Sequence, residues 1–301
     1  MAAFRFPGPA PARLDVVLGR MCPLGRRGRQ QLIEAGRVLV DGKPGRKGAL
    51  VQPGQWVTIT DDNAASPGVS MPAARLLVQT DAFAALAKPA GMPSVRGACP
   101  GSLEEALPLL GLSGWQLLNR LDTPTSGVVL AAATPAAAAQ YHAWQEEGRV
   151  RKWYLAVVHG HCTQARTCTA RIDDARRRRV RVLPEPDPSL LRHTHIWPLC
   201  HEADSTLVLV RILKGRRHHI RAHLAACGHP IVGDGSYGTE RTEGGLFLHH
   251  AALVFPEFTV RTPPDWPQWQ SLARTVPVHR LPADFFPLWP IEDPSPAASE
   301  P

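Results

Sequence analysis

The chain has 301 residues, 44% hydrophobic and 20% charged, with 34 Lys and Arg against 26 Asp and Glu. This is the composition of a globular protein of roughly two domains at about 150 residues each, and no apolar run reaches the ~18 residues of a membrane span. Collagen-like and helical transmembrane classes are excluded. The opening MAAFRFPGPAPARLD has no basic segment followed by an apolar one, so no secretory signal is expected and a cytoplasmic location is. The six cysteines (Cys22, Cys99, Cys162, Cys168, Cys200, Cys227) form no C-x-x-C pair, and reduced thiols are expected.

The positive charge is concentrated at one end. Residues 1–60 hold ten basic residues against three acidic ones, seven of the eight net positive charges of the chain. Such a segment suits a polyanion, most simply nucleic acid, because binding phosphates releases condensed counterions. Within it, Arg13 to Arg20 and Arg29 to Glu34 predict short helices. Val38-Leu39-Val40, the Asp41-Gly42 turn and Trp56-Val57-Thr58-Ile59 predict a small sheet. Arg13-Leu14-Asp15, Gly36-Arg37-Val38, Val40-Asp41-Gly42-Lys43 and Pro53-Gly54-Gln55 together resemble the small RNA-binding domain named after a small-subunit ribosomal protein, over residues 11–60. The resemblance implies that Arg26, Arg27, Arg29 and Lys43 meet RNA phosphates.

Residues 61–75, DDNAASPGVSMPAAR, have the small polar composition of a linker. Beyond it, residues 76–80, 127–133, 153–160 and 205–213 read as strands, with an Ala-rich helix from Pro135 to Glu147 between the second and third. The fold class is therefore α+β, with a mixed, mostly antiparallel sheet over residues 76–260. Residues 261–301 are Pro-rich and predict an irregular wrapping segment and tail. No G-x-G-x-x-G or G-x-x-x-x-G-K-[ST] is present, so nucleotide cofactors have no support.

Two constellations carry chemistry. Residues 119–132 place Asp122 after an Arg and before a Thr-Pro-Thr-Ser-Gly turn that feeds an apolar strand, although alone Asp122 serves equally well as a turn or capping carboxylate. Residues 214–238 place His219 and His223 four apart on one face of a helix, with Arg217 and Arg221 spaced likewise on a neighbouring face. The H-E-x-x-H pattern is not met, because Ile220 follows His219.

In order along the chain, Lys88-Pro89-Ala90-Gly91, Asn119-Arg120-Leu121-Asp122 with Thr125-Ser126-Gly127, Val150-Arg151-Lys152-Trp153-Tyr154, Gly215-Arg216-Arg217-His218-His219-Ile220-Arg221 with His223-Leu224, and Leu248-His249 resemble the motifs of the RluA family of RNA pseudouridine synthases. The departures are Asn119 where the family has His, Lys214 and Arg217 where it has small hydroxyl residues, and His219 where it has Gln. The resemblance implies a pseudouridine synthase fold that acts on ribosomal large-subunit RNA or transfer RNA, with no cofactor and no metal; for the oligomeric state, a monomer is the default expectation.

The residue roles follow from the same resemblance. Asp122 is the nucleophile, either adding to the sugar or assisting a glycal route. Arg221 pairs with it, since a guanidinium favours an ionised carboxylate in a partly buried site. Tyr154 stacks on the uracil, and Arg120 occupies the space left by the flipped nucleotide. Arg216 and His218 contact the RNA, and the five arginines within residues 176–181 meet phosphates or form a solvated loop. Two other readings stay open: a catalytically inactive RNA-binding protein on the same fold, and a metal-dependent nucleic-acid hydrolase using His218, His219, His223 and Asp234.

Overall fold

The computed structural model describes residues 2–20, 26–34, 36–59, 73–97, 101–175, 179–238 and 244–291. They fall into two units: Met1–Pro72 with Arg96–Ser102, and Ala73–Val95 with Leu103–Pro301. Most of the expected linker, residues 61–72 of 61–75, lies outside the described residues, as do Cys22, Cys99 and Arg176 to Arg178. No helix among the described residues is long and apolar enough to cross a membrane.

The first unit contains β1 (Ala2–Arg5), β2 (Ala12–Arg13), α1 (Leu14–Val17), α2 (Arg26–Glu34), β3 (Val38–Val40), β4 (Lys43–Pro44), β5 (Leu50–Val51) and β6 (Trp56–Ile59). Its sheet runs β1-β6-β3-β4, and β2 pairs with β5. The Asp41-Gly42 turn joins β3 and β4 with both residues at positive φ, 48° and 77°, the geometry that favours Asp and Gly there. Leu14, Val17, Leu18, Leu32, Ile33, Val38, Val51 and Val57 close a small separate core.

The second unit is built on ten strands: β7 (Arg75–Gln79), β8 (Phe83–Lys88), β9 (Gln116–Leu117), β10 (Ser126–Ala132), β11 (Arg151–His159), β12 (Arg166–Cys168), β15 (Thr194–Glu202), β16 (Ser205–Ile212), β17 (Leu248–Phe255) and β18 (Phe258–Arg261). Their order is β12-β15-β16-β11-β17-β10-β8-β7, with β9 beside β10 and β18 beside β17. A short helix, α3 (Leu103–Ala106), lies between β8 and β9 in the chain. A separate ribbon pairs β13 (Ala170–Asp173) with β14 (Arg181–Pro186). Only β10 and β17 run parallel among the described residues, so the sheet is mixed and mostly antiparallel as the sequence predicts.

Both faces of the sheet are covered. Val128, Leu130 and Ala132 of β10 join Phe83, Tyr141 and Phe255 in one core, while Val129 and Ala131 face the larger core. That alternation follows from the two-residue period of a strand. The first core is roofed by α4 (Pro135–Glu146), which starts where expected because the Thr134 side chain accepts from the Ala137 N–H and Pro135 opens the helix. The Pro-rich C-terminal region contains α6 (Trp269–Thr275), the helix after α5 (His219–Ala226), and buries Trp269, Leu272, Phe285 and Ile291 in the larger core.

Cys168 and Cys227 form a disulfide, which corrects the expectation of reduced thiols at that pair, whereas Cys162 and Cys200 are buried and free. The partners are 59 residues apart, and only folding brings them together.

Gly127, in the second residue of β10, has φ 114° and lies against the backbone of His250, which a Cβ would overlap. Neither can give way, because the two residues are register partners in the parallel pair. Gly127→Ala is expected to cost about 3 kcal/mol, read as a fall of roughly 5–10 °C in the melting midpoint. An unchanged midpoint would show that β10 and β17 can separate locally at no cost.

Candidate active site

Asp122 lies in the loop between β9 and β10, and the loop is fixed from several sides. The Thr125 N–H donates to the Asp122 carbonyl at 2.9 Å, closing a turn. Ser94 Oγ donates to the Leu121 carbonyl and accepts from the Leu121 N–H, both at 2.9 Å. Asn119 Oδ1 accepts from the Leu130 N–H at 2.7 Å, clipping the start of the loop to β10. Lys88 is 1% exposed, and its ammonium donates to the carbonyls of Pro89, Met92 and Thr123. Burial lowers its pKa to about 8 while the Asp122 charge raises it, and three carbonyls make this buried cation a rigid pin beneath the loop.

Helix α5 brings Arg221 to Asp122 from the other side of the cleft. Arg221 Nη1 donates to Asp122 Oδ2 at 2.9 Å, while its Nε and Nη2 make a two-pronged contact to Asp234 at 2.8 and 2.7 Å. Asp234 is 1% exposed, and its Oδ1 also accepts from the N–H groups of Ser236 and Tyr237. Burial pushes the Asp234 carboxyl up, but the Arg221 hydrogen bond and charge outweigh it and leave the carboxyl below its ordinary range. The result is one guanidinium shared by two carboxylates, a bidentate and charge-assisted arrangement that holds Arg221 in one orientation.

The helix does not reach back to Arg217 as the four-residue spacing suggests. His218 sits at φ 54° and ψ 20°, in the left-handed region, so the helix starts at His219 and Arg217 is exposed before it. His218 Nδ1 is 3.0 Å from the Tyr237 hydroxyl, and its Nε2 is 3.9 Å from Asp122 Oδ2. Burial lowers the His218 pKa, Asp122 opposing and Arg221 adding to the shift.

Tyr154 stands on β11, stacked on His250 with ring centroids 4.4 Å apart. Burial first, then Tyr141 and Asp122, push its phenol above the ordinary range, so it remains a neutral donor. Asp122, Tyr154, Arg221, Arg120, Arg216 and His218 all line one cavity of about 900 Å³. Arg120 is exposed, and Arg216 Nη1 contacts Asp174 at 3.2 Å. In the first unit Lys43 is exposed and Arg29 half-buried, while the side chains of Arg26 and Arg27 lie outside the described residues.

The motifs give Asp234, Lys88 and Tyr237 no role in a synthase, yet these residues build the site. Asp234 lies within the Gly233-Asp234-Gly235 turn signal, which marks a turn without saying what the carboxylate holds. Of the four residues of the metal alternative, His223 and Asp234 have their donor atoms engaged, whereas His219 Nε2 is buried with no hydrogen-bond partner among the described residues. His223 Nε2 donates to the Ala170 carbonyl, so Nδ1 accepts from the Thr194 hydroxyl, and Asp234 is held by Arg221. Among the described residues no group of three His, Cys, Asp or Glu is placed to hold a metal.

The family of RNA pseudouridylate synthases matches residues 82–226. An RNA pseudouridine synthase of Chloroflexus aurantiacus, itself described as uncharacterized, is 36% identical over 86% of this chain and 89% of its own length. The chain belongs to the RNA pseudouridine synthase family. The ribosomal large subunit pseudouridine synthase D of Xanthomonas campestris is 31% identical over 76% of this chain and 72% of its own. The structure of human RNA pseudouridylate synthase domain containing 1 superposes with a TM-score of 0.58 at 26% identity, covering 76% of this chain and all of that one. As a member of this family the chain is an RNA-modifying isomerase that converts uridine to pseudouridine.

Proposed function

We propose that this synthase modifies a uridine in ribosomal large-subunit RNA or transfer RNA by flipping it into the cavity, with Asp122 as the nucleophile at the sugar-base junction. The observation that carries the reading is the chain Asp122–Arg221–Asp234, which aims one carboxylate into a cavity that also presents Tyr154. Arg221 positions Asp122, and Tyr154 stacks on the extruded base. Arg120, exposed in the loop, fills the space the base leaves. Arg216 and His218 contact the RNA beside it, and residues 11–60, with Arg26, Arg27, Arg29 and Lys43, add affinity for its backbone. The enzyme works as a monomer in the cytoplasm.

An inactive RNA-binding protein on this fold is favoured only by Asn119 and His219. Both have structural work here: Asn119 ties the loop to β10, and His219 Nδ1 accepts from the Arg216 N–H at 3.1 Å. Pseudouridine mapping of ribosomal and transfer RNA from cells with the protein, without it, or with only Asp122→Ala tests the proposal. A uridine modified only with the intact protein supports it, and three identical maps would overturn it.

Lys43 and Arg46 are both exposed in the first unit. If that unit binds RNA phosphates, Lys43→Gln with Arg46→Gln weakens RNA binding and lowers the salt slope by about 0.7 to 0.9 for each phosphate no longer neutralised. Titration at several salt concentrations reads this directly, and an unchanged slope removes both side chains from the interface.

A further inference from the structure

Lys152 is a buried cation with no partner among the described residues. It lies on the central strand β11, two residues before Tyr154 and so on the same strand face, and both side chains line the cavity. It is 6% exposed, yet its ammonium makes no hydrogen bond or ion pair with any described residue. Lys88, also buried, shows how this fold satisfies an ammonium when the role is structural, with three carbonyls. The charged or titratable neighbours of Lys152 are Lys214, itself paired with Glu146, and His250, which burial keeps neutral. A buried, unpaired cation costs folding free energy, and such groups gather where a ligand supplies the missing partner.

We propose that Lys152 is a further catalytic residue, whose ammonium hydrogen-bonds a carbonyl oxygen of the flipped uracil and stabilises the anion that forms when the glycosidic bond breaks. The inference rests on the reading of the cavity as the site of uridine isomerisation. As the bond from C1′ to N1 breaks, its electron pair leaves with the base, spreading negative charge over N1, O2 and O4. The ammonium, on a residue that lines the cavity with Tyr154, stabilises that charge and need not transfer a proton. Asp122 bonds to C1′ as N1 leaves; the ring then turns, C5 supplies the electron pair for the new bond to C1′ as the carboxylate is released, the C5 proton leaves to solvent and N1 takes one up, so atoms and charge balance with no co-reactant. A fixed donor in a water-poor site favours the charged transition state over the neutral ground state.

A phosphate is the less fitting partner. The flipped nucleotide enters base first, and its phosphates stay with the strand outside, where Arg120 is exposed. Burial, and secondarily Lys214, lower the Lys152 pKa to about 8, so most of it remains protonated at neutral pH.

The test compares Lys152→Met with the unaltered enzyme on two probes: total RNA from cells lacking the protein, and the same RNA from such cells grown with 5-fluorouracil. The single-turnover loss of the N-glycoside is followed at the mapped uridine by mass spectrometry of nucleoside digests. On ordinary RNA the rate is expected to fall about 100-fold or more, with RNA affinity within about threefold. On fluorinated RNA the deficit shrinks to roughly tenfold or less, because fluorine withdraws electron density and the base departs more easily without help.

An equal deficit on both probes, an undiminished rate, or an affinity loss that matches the rate loss would each overturn the proposal, the last assigning Lys152 to a phosphate. If Lys152→Met fails to fold, Lys152→Arg and Lys152→Gln replace it, and the charged Arg variant must retain more rate than Gln. Failure of the unaltered enzyme to modify any uridine would defeat the functional reading itself, a result distinct from all of these.

Discussion

Replacing Asp122 by Asn is expected to lower the single-turnover rate of pseudouridine formation by about 10⁴-fold or more, while RNA affinity changes by less than about threefold. Asn has the same shape and keeps the Thr125 turn, whose hydrogen bond uses the backbone carbonyl. Arg221 retains its double contact to Asp234, so neither the helix nor the cavity loses its anchor. What disappears is the charge, together with the carboxylate oxygen that Arg221 holds at 2.9 Å and that the proposed mechanism uses as its nucleophile. Measuring rate and affinity on the same RNA separates the two effects. A variant within tenfold of the original rate would show that Asp122 is a turn residue, the role its sequence context equally allows.

Asp234→Ala is expected to destabilise the fold by about 3 kcal/mol, because it removes the bidentate partner of a buried guanidinium and leaves Arg221 Nε and Nη2 unsatisfied, with only the single contact to Asp122 remaining. The same change deprives the Ser236 and Tyr237 N–H groups of their acceptor. A fall of roughly 10 °C in the melting midpoint follows. Burial acts to raise the Asp234 carboxyl, and the Arg221 hydrogen bond and charge lower it by more, so its folded pKa lies below its unfolded one.

The stabilisation is therefore present in full above the unfolded carboxylate pKa of about 4 and is lost as the pH falls through the lower, folded value. Melting midpoints of the unaltered protein should drop across this acid window, and the gap to Asp234→Ala should narrow there. A constant gap from neutral to acid pH would show that packing, and not the ion pair, holds α5 in place.

Much of the local structure is legible along the chain. Thr134-Pro135 states where α4 begins, and the β-rich runs 153–160 and 205–213 mark two of the central strands. Elsewhere the local signal points the wrong way. Phe83–Lys88 is half alanine and buried on both faces, so it shows neither alternation nor β-branched residues, yet it forms β8. Four-residue spacing carries the helix back to Arg217, but the left-handed His218 backbone stops it.

The sequence by itself determined the fold class and the basic composition of the first unit, and it singled out Asp122, Tyr154 and Arg221 as candidates, because these depend on period, charge and ordered motifs that are written along the chain. Only the tertiary structure decided that Arg221 grips Asp234 as well as a carboxylate 99 residues away, that Cys168 meets Cys227, and that Lys152 is buried without a partner among the described residues. Those properties are distances across a folded sheet and the exclusion of water from a cavity. Neither is encoded in the spacing of residues along a strand or helix.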